Sequence, residues 1–266
     1  KFRLATFNVT TLRPAGYLEM LDAELLRHRI DICALQESRL ADSGRVDLAN
    51  YVVFFNGLPA TAPAAAGVGF AVRRNLVDFV GKFERITACP ERITTLCLGS
   101  RPVPLALVSC YAPTDAASET EKDLFYAALS QTVSSLNTRG PVFVLGDFNA
   151  QCGVERCSAV GAFGSLVGSM NDNCHRFLDF AELNHLRVGG SFFARPDKAR
   201  WSHYSINSQG TAREIDHILY RARHHICDNV RALPHSCLAS TEHRIVVADV
   251  RCNLGPRAKR VGSLFT

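Results

Sequence analysis

No stretch of the 266 residues approaches the roughly 20 consecutive apolar residues of a membrane-spanning helix. The amino end, Lys1, Phe2, Arg3 and Leu4, runs straight into a strand-like pattern and lacks the regions of a signal peptide. Both absences predict a soluble, non-secreted chain with no membrane partner. The ten cysteines include no CxxC pair, and Cys33, Cys97 and Cys110 stand inside apolar runs where a small thiol packs well. All ten are therefore expected to be reduced, in an intracellular compartment. Cys152, Cys157, Cys174 and His175 carry zinc-ligating atoms, but their spacing matches no common zinc site. Charge of one sign is also scarce: 30 Lys and Arg against 25 Asp and Glu give +5. That permits a polyanionic partner without the strongly basic signature of binding by charge alone. There is no internal repeat, and the low-complexity patch is an Ala/Pro loop from Pro59 to Ala66. Without an initiating Met, and ending near Arg257, Lys259 and Arg260, the sequence reads as part of something longer. The expected division is a domain over 1–253 and a basic linker or tail over 254–266.

At 47% hydrophobic content the chain can bury a sizeable core, and one domain is the simplest expectation. Several short apolar runs share a design in which a buried strand ends in polar residues. Leu4–Phe7 leads into Asn8, and Ile30–Leu35 into Gln36 and Glu37. Leu105–Cys110 leads into Tyr111, and Val142–Leu145 into Gly146, Asp147, Phe148 and Asn149. Ile215 flanks Asp216, and His243 precedes Ile245–Val250. Continuous apolar runs of this length suit strands buried on both faces. Leu18, Leu21 and Leu25 recur at helical spacing, as do Phe125, Leu129, Val133 and Leu136, with Ser118 and Glu121 as a cap-and-acid start. A third helix is expected over His175–Leu183. The pattern predicts two sheets packed face to face with helices outside, and polar strand ends converging at one rim.

Asp147 and Asn149 lie two apart, so a continuing strand would project both to one side, with Phe148 in the core and Gly146 allowing close backbone approach. A carboxylate there can orient or deprotonate water, while a neutral amide contacts phosphate without repelling it. Read alone, the tetrapeptide fits an ordinary strand-to-turn junction better. Glu37 is a hard oxygen donor of the kind Mg²⁺ or Mn²⁺ prefers, or else a solvated strand end. His243 can serve as acid, base or electrophile if a carboxylate orients it, and Asp216, costly to bury unpaired on its apolar strand, is the partner expected. A structural salt bridge is the bland alternative. Arg221, Arg223, His224 and His225, and the Arg73–Arg74 pair, offer phosphate contacts or simply solvated loops.

Taken in order, these segments resemble the exonuclease, endonuclease and phosphatase superfamily, which includes the abasic-site endonucleases. The matching blocks are Thr6–Val9, Gln36–Glu37, Tyr111–Pro113, Gly146–Ala150, Ile215–Ile218 and Glu242–His243. Within it, Asn8–Leu12, Asp31–Leu40, Tyr111–Asp115, Gly146–Gly153, Phe177–Phe193 and Arg213–Leu219 resemble the endonuclease domain of non-LTR (LINE-type), RTE-like retrotransposons and the craniofacial-development-protein-like sequences derived from it. The resemblance implies a four-layered α/β sandwich with two central mixed sheets. It further implies a metal-dependent endonuclease that nicks double-stranded DNA in the nucleus and leaves a 3′-hydroxyl to prime the reverse transcriptase fused to it. By the same resemblance Glu37 holds Mg²⁺ or Mn²⁺, with Glu242 touching it and Asn8 ordering the site. Asp147 activates water, Asn149 contacts phosphate, Tyr111 bonds the phosphate or leaving oxygen, and His243, oriented by Asp216, stabilises developing charge.

Three positions depart from the family pattern. Thr10 replaces the aspartate of abasic-site enzymes, and Glu242 replaces the aspartate before the histidine. Arg200 stands where relatives carry a phosphate-contacting threonine, so Arg200 itself or Ser202 is the expected phosphate contact. The alternatives are abasic-site or other phosphoester hydrolysis, and a catalytically decayed DNA-binding domain.

Overall fold

Side-chain alternation along a few long-buried strands decides the architecture, seen here in a computed structural model that describes residues 1–99, 104–136, 140–152, 157–164, 170–205, 211–234, 238, 241–252 and 254. The proposed boundary at 253/254 and the basic tail lie outside the described residues, apart from Leu254. One sheet comprises β1 (Phe2–Asn8), β2 (Ile32–Gln36), β3 (Ser43–Asp47), β4 (Tyr51–Asn56), β5 (Val68–Arg73), β14 (Cys227–Ala232) and β15 (Val246–Val250), in the order β14-β15-β1-β2-β5-β4-β3. The second comprises β6 (Val80–Arg85), β7 (Ile93–Leu98), β8 (Leu105–Tyr111), β9 (Val142–Asp147), β10 (Leu186–Val188) and β13 (Asp216–Arg221), in the order β10-β13-β9-β8-β7-β6. A small ribbon pairs β11 (His203–Ser205) with β12 (Thr211–Arg213). The pairs β1–β2 and β8–β9 are parallel and the remaining ladders antiparallel, so both sheets are mixed.

Leu4, Ile32, Phe54, Phe70 and Val72 of the first sheet meet Leu96, Leu107, Phe143, Leu145 and Ile218 of the second in one apolar layer. The opposite face of the first sheet, including Ala5, Phe7, Cys33 and Leu35, packs on Leu21 and Leu25 of α1 (Tyr17–Arg27). Val108, Cys110 and Val144 of the second sheet pack on Phe125, Leu129 and Phe177, carried by α2 (Glu119–Ser135) and α3 (Asp172–Leu183). The expected four layers, helix, sheet, sheet and helix, are all present. Each fully buried Leu, Val or Phe contributes about 1.5–3 kcal/mol, so continuous apolar runs with two helical coats account for the sandwich.

Ser118 caps α2 by accepting from the Glu121 amide, as its sequence predicts. The Glu121 carboxylate does not close a capping box, because Arg92 holds it. The third helix begins three residues before the expected His175, at Asp172, since Asn171 accepts from the Cys174 amide and starts it there. No helix among the described residues is long and apolar enough to cross a membrane.

The cysteine expectation needs correction. Cys152, just after the Asn149 turn, and Cys174, in the first turn of α3, have Cα atoms 5.3 Å apart and are joined in a disulfide. Cys33, Cys97 and Cys110 are free thiols, Cys33 and Cys110 fully buried as expected. Among the described residues the Cys152, Cys157, Cys174 and His175 set forms no metal-binding group.

Candidate active site

The strand registers bring the polar ends together. Tyr111, Asp147 and Asp216 are direct neighbours across three strands, Tyr111 opposite Asp147 and Asp147 opposite Asp216. Period-2 alternation puts them on the face that carries Leu107, Phe143, Leu145 and Ile218, between the sheets. In the facing sheet Asn8 lies opposite Gln36 and shares the inward face of Leu4 and Thr6. The apolar layer thus becomes polar one step below the rim. There Thr6 donates to Gln36 (2.9 Å), Gln36 to Ser109 (3.1 Å), and Ser109 to the Leu35 carbonyl (3.1 Å), tying the sheets together.

Above that layer, the Asn8 amide nitrogen donates to Glu37 Oε1 at 2.8 Å and to Asp147 Oδ2 at 3.0 Å. Its carbonyl oxygen accepts from the Thr10 amide at 3.0 Å, which fixes which way the amide points. Glu37 follows an inward-facing Gln36 and would point outward if the strand continued. A left-handed φ of 51° breaks the alternation and returns its carboxylate to the site. Thr10, Arg39 and Asn149 also have positive φ (58°, 53° and 46°), so non-glycine backbone strain gathers at this rim.

Asn149 departs from expectation in its backbone. The strand stops at Asp147, and the Asn149 amide donates to Asp147 Oδ1 at 2.9 Å in a tight turn, instead of continuing the pleat. Its side-chain amide donates to the Ala112 carbonyl (3.0 Å), and its own carbonyl accepts from Asn171 (2.7 Å) at the start of α3. Phe148 is fully buried, as expected. A Cβ on Gly146 would lie 2.1 Å from the Cys110 carbonyl, so the close approach inferred from that glycine is real.

On the other side of Asp147, His243 Nδ1 lies 2.9 Å from Asp216 Oδ2, and its Nε2 is 4.0 Å from Asp147 Oδ2. Thr241 fastens this histidine to β1, accepting from the His243 amide (3.0 Å) and donating to the Asn8 carbonyl (2.7 Å). Burial and the neighbouring Asp216 push the Asp147 carboxyl up to about 7, against the opposing pull of His243, Asn149 and Asn8. For His243 burial acts downward, but Asp216, Asp147 and Glu37 outweigh it and raise the imidazole to about 9. Burial, with the charges of Glu37 and Asp147, also raises the Tyr111 phenol, which keeps its proton. The Arg92 guanidinium covers the Tyr111 ring at 5.3 Å.

Asp147, Asp216 and His243 form the one metal-capable group among the described residues, with donor atoms within 4.8 Å of one another. Glu37 joins it through the shared Asn8 amide. Asp216 Oδ1 is buried without a hydrogen-bond partner, and two buried carboxylates face each other. An oxygen-rich, anion-heavy set of this kind fits a hard divalent cation. The Asn8 nitrogen cannot ligate one, so its part is to orient the carboxylates.

Three expectations are corrected here. Glu242 turns its carboxylate to His203 Nε2 (3.6 Å), away from the expected contact with the metal. Arg200 is 6% exposed and spends its guanidinium on both Glu214 oxygens (3.1 and 3.3 Å) and the Gly190 carbonyl, leaving it no role as a phosphate contact. Ser202 is fully buried, and its hydroxyl accepts the Ile215 and Asp216 amides (3.0 and 2.9 Å), so it positions Asp216 and does not reach for phosphate.

Sequence reading missed Thr241, and it missed Arg39, which donates to Glu37 Oε2 at 3.0 Å. It also missed His203, whose ring meets that of His243 edge to face at 4.6 Å. Arg39 and Thr241 lie two residues from Glu37 and His243, a proximity that alone could have flagged them.

The sequence profile of the Endonuclease/Exonuclease/phosphatase family matches residues 5–237. The chain belongs to this family. Craniofacial development protein 2 of Tragulus javanicus is 24% identical over 258 residues, which is 96% of this chain and 43% of that protein. The chain thus spans less than half the length of that relative. Among solved structures, the AP endonuclease LMAP from Leishmania major superposes with a TM-score of 0.73 at 16% identity, over 95% of this chain and 88% of that one. The endonuclease domain of TRAS1, a telomere-specific non-LTR retrotransposon, gives 0.65 at 13% identity, over 95% and 99%. These structural likenesses show a shared fold.

Proposed function

We propose that this member of the family is an endonuclease that nicks double-stranded DNA with Mg²⁺ or Mn²⁺ and leaves a 3′-hydroxyl. On this reading it serves a retrotransposon-type protein that also carries a reverse transcriptase and acts in the nucleus, the 3′-end becoming the primer. The observation that carries the catalytic part is the Asn8 amide, which holds Glu37 and Asp147 together while Asp216 holds His243 against them. The retrotransposon part rests on the sequence blocks around GDFNAQCG and DICALQESRL.

Chemically, a carboxylate near 7 is a good base at neutral pH. Asp147 accepts a proton from water as the oxygen of that water bonds to the phosphorus opposite the 3′-oxygen; the P–O3′ bond breaks, and the 3′-oxygen leaves with the bond's electron pair and takes a proton from solvent. His243, protonated near neutrality and anchored by Asp216, places positive charge where negative charge builds on the phosphate. Tyr111 keeps its hydroxyl hydrogen and donates it to a phosphate or leaving oxygen. Asn149 retains a second amide hydrogen for the phosphate after bonding Ala112. Glu37, beside Asp147, would hold the divalent cation, which would supply neutralisation of phosphate charge. The products are a 5′-phosphate and a free 3′-hydroxyl.

The test is the chemistry of the nick. Plasmid nicked by the protein is given to a DNA polymerase with labelled nucleotide and no phosphatase. Direct extension is expected. Ends that extend only after a 3′-phosphate is removed would contradict the proposal.

A further inference from the structure

The strands that deliver the site at one end deliver a different surface at the other. β13 runs from Asp216 at the site to Arg221, about 17 Å away at roughly 3.3 Å per residue. α2 and α3 likewise start beside the site, where Asn171 and Asn173 hold the Asn149 carbonyl, and end at Ser135 and Leu183 on the far side. Between those far ends lies a groove of about 660 Å³ lined by Arg187, Arg221, Arg223, His185 and His225, with Leu183 at its lip and no Asp or Glu in the lining.

The fold accounts for only part of this charge. Arg221 donates to the Val133 carbonyl near the C-terminus of α2, which is a helix-end contact. Arg187 stacks on Phe192 at 4.9 Å. Among the described residues neither has a carboxylate within ion-pair distance, whereas Arg73 and Arg74 have Asp31 and Asp47. Burial, and then the neighbouring Arg223, hold Arg221 below the ordinary guanidinium value. Arg223, His185 and His225 are exposed. A single phosphate would leave most of the volume empty. Cations spread over two segments, 185–187 and 221–225, match the spaced charges of a phosphodiester chain, and the two exposed imidazoles and Leu183, itself 73% exposed, offer surfaces to bases.

We infer that this groove binds a single strand of nucleic acid at the pole opposite the cleavage site. The strand held there is therefore distinct from the bond being cut. The inference stands on the charges of the groove and does not require the nicking reading.

The test uses the purified chain in chelator, with a fluorescein-labelled 12-nucleotide single strand, read by anisotropy across salt. Wild type and Asp147→Asn should bind alike. The double variant His185→Glu/Arg223→Glu, both exposed positions, should bind at least about ten-fold more weakly, with a salt slope smaller by about one. With Mg²⁺ its plasmid nicking should stay near wild type, which separates loss of this groove from loss of the active site. Unchanged oligonucleotide affinity in the double variant overturns the inference. So does a groove that answers only to pyrophosphate, or only to anionic vesicles.

Discussion

The Asn8 side chain makes one hydrogen bond to each of two carboxylates and is wholly buried. Two such acids would repel each other across the sheets without that donor. Replacing Asn8 with Ala removes both bonds and the acceptor for Thr10, and nicking should fall by about 10²–10³-fold, as expected for a lost electrostatic contact. Asn8→Asp, which adds a third carboxylate, should be at least as damaging and should move the acidic limb of the pH profile upward. That profile is itself a prediction at this scale. Asp147 must be deprotonated to act and is raised to about 7, so activity climbs with pH through the region below neutrality, earlier when a cation is bound. His243 must keep its proton and is raised to about 9, so activity falls above that value. Single-turnover nicking from pH 5.5 to 10 would show a bell; a profile still flat at pH 10 would remove His243 from the role given it. Asp216→Asn should bring the descending limb to lower pH, because the chief charge holding the imidazole protonated is gone.

At the scale of elements, the parts of the site that were legible in the sequence are those lying on strands. Asp147, Asp216, Tyr111 and Asn8 could be placed because period-2 burial fixes which side of an apolar strand faces inward, and their registers bear this out. The parts that were not legible lie where the chain leaves that pattern. Glu37 and Asn149 were named as site residues, but the left-handed backbone that sets them there was not foreseen, nor was the turn of Glu242 beside an isolated bridge. The Arg200–Glu214 pair joins residues 14 apart across the β11–β12 ribbon, and no pattern in one sequence announces it. This pair supplies a test that separates a structural role from a phosphate role. Breaking a buried ion pair costs about 3–5 kcal/mol, so Arg200→Ala and Glu214→Ala should lower the denaturation midpoint alike. A phosphate contact would instead show normal stability and a raised KM for Arg200→Ala alone. Ser202→Ala leaves two buried amides without an acceptor and should cost about 1–3 kcal/mol, while loosening Asp216 enough to reduce turnover.

For the whole molecule, one layout serves folding and function together. Strands apolar for most of their length assemble the sandwich, and polar residues at their ends carry the chemistry. The charge layout follows the same axis, with buried carboxylates at the site and a groove lined by guanidinium and imidazole groups at the other pole. Family membership and architecture were readable because they depend on many residues in order. The disulfide between Cys152 and Cys174 was not, because it depends on how the Asn149 turn meets α3. The measurement that bears most directly on the account is conversion of supercoiled plasmid to open circle by the purified chain, in Mg²⁺ or Mn²⁺ and in chelator, beside a folded Asp147→Asn variant. Cation-dependent open circles from the wild type, and at least about 10²-fold fewer from the variant, are predicted. An Asp147→Asn protein that nicks as fast as wild type, or nicking undiminished in chelator, would contradict it.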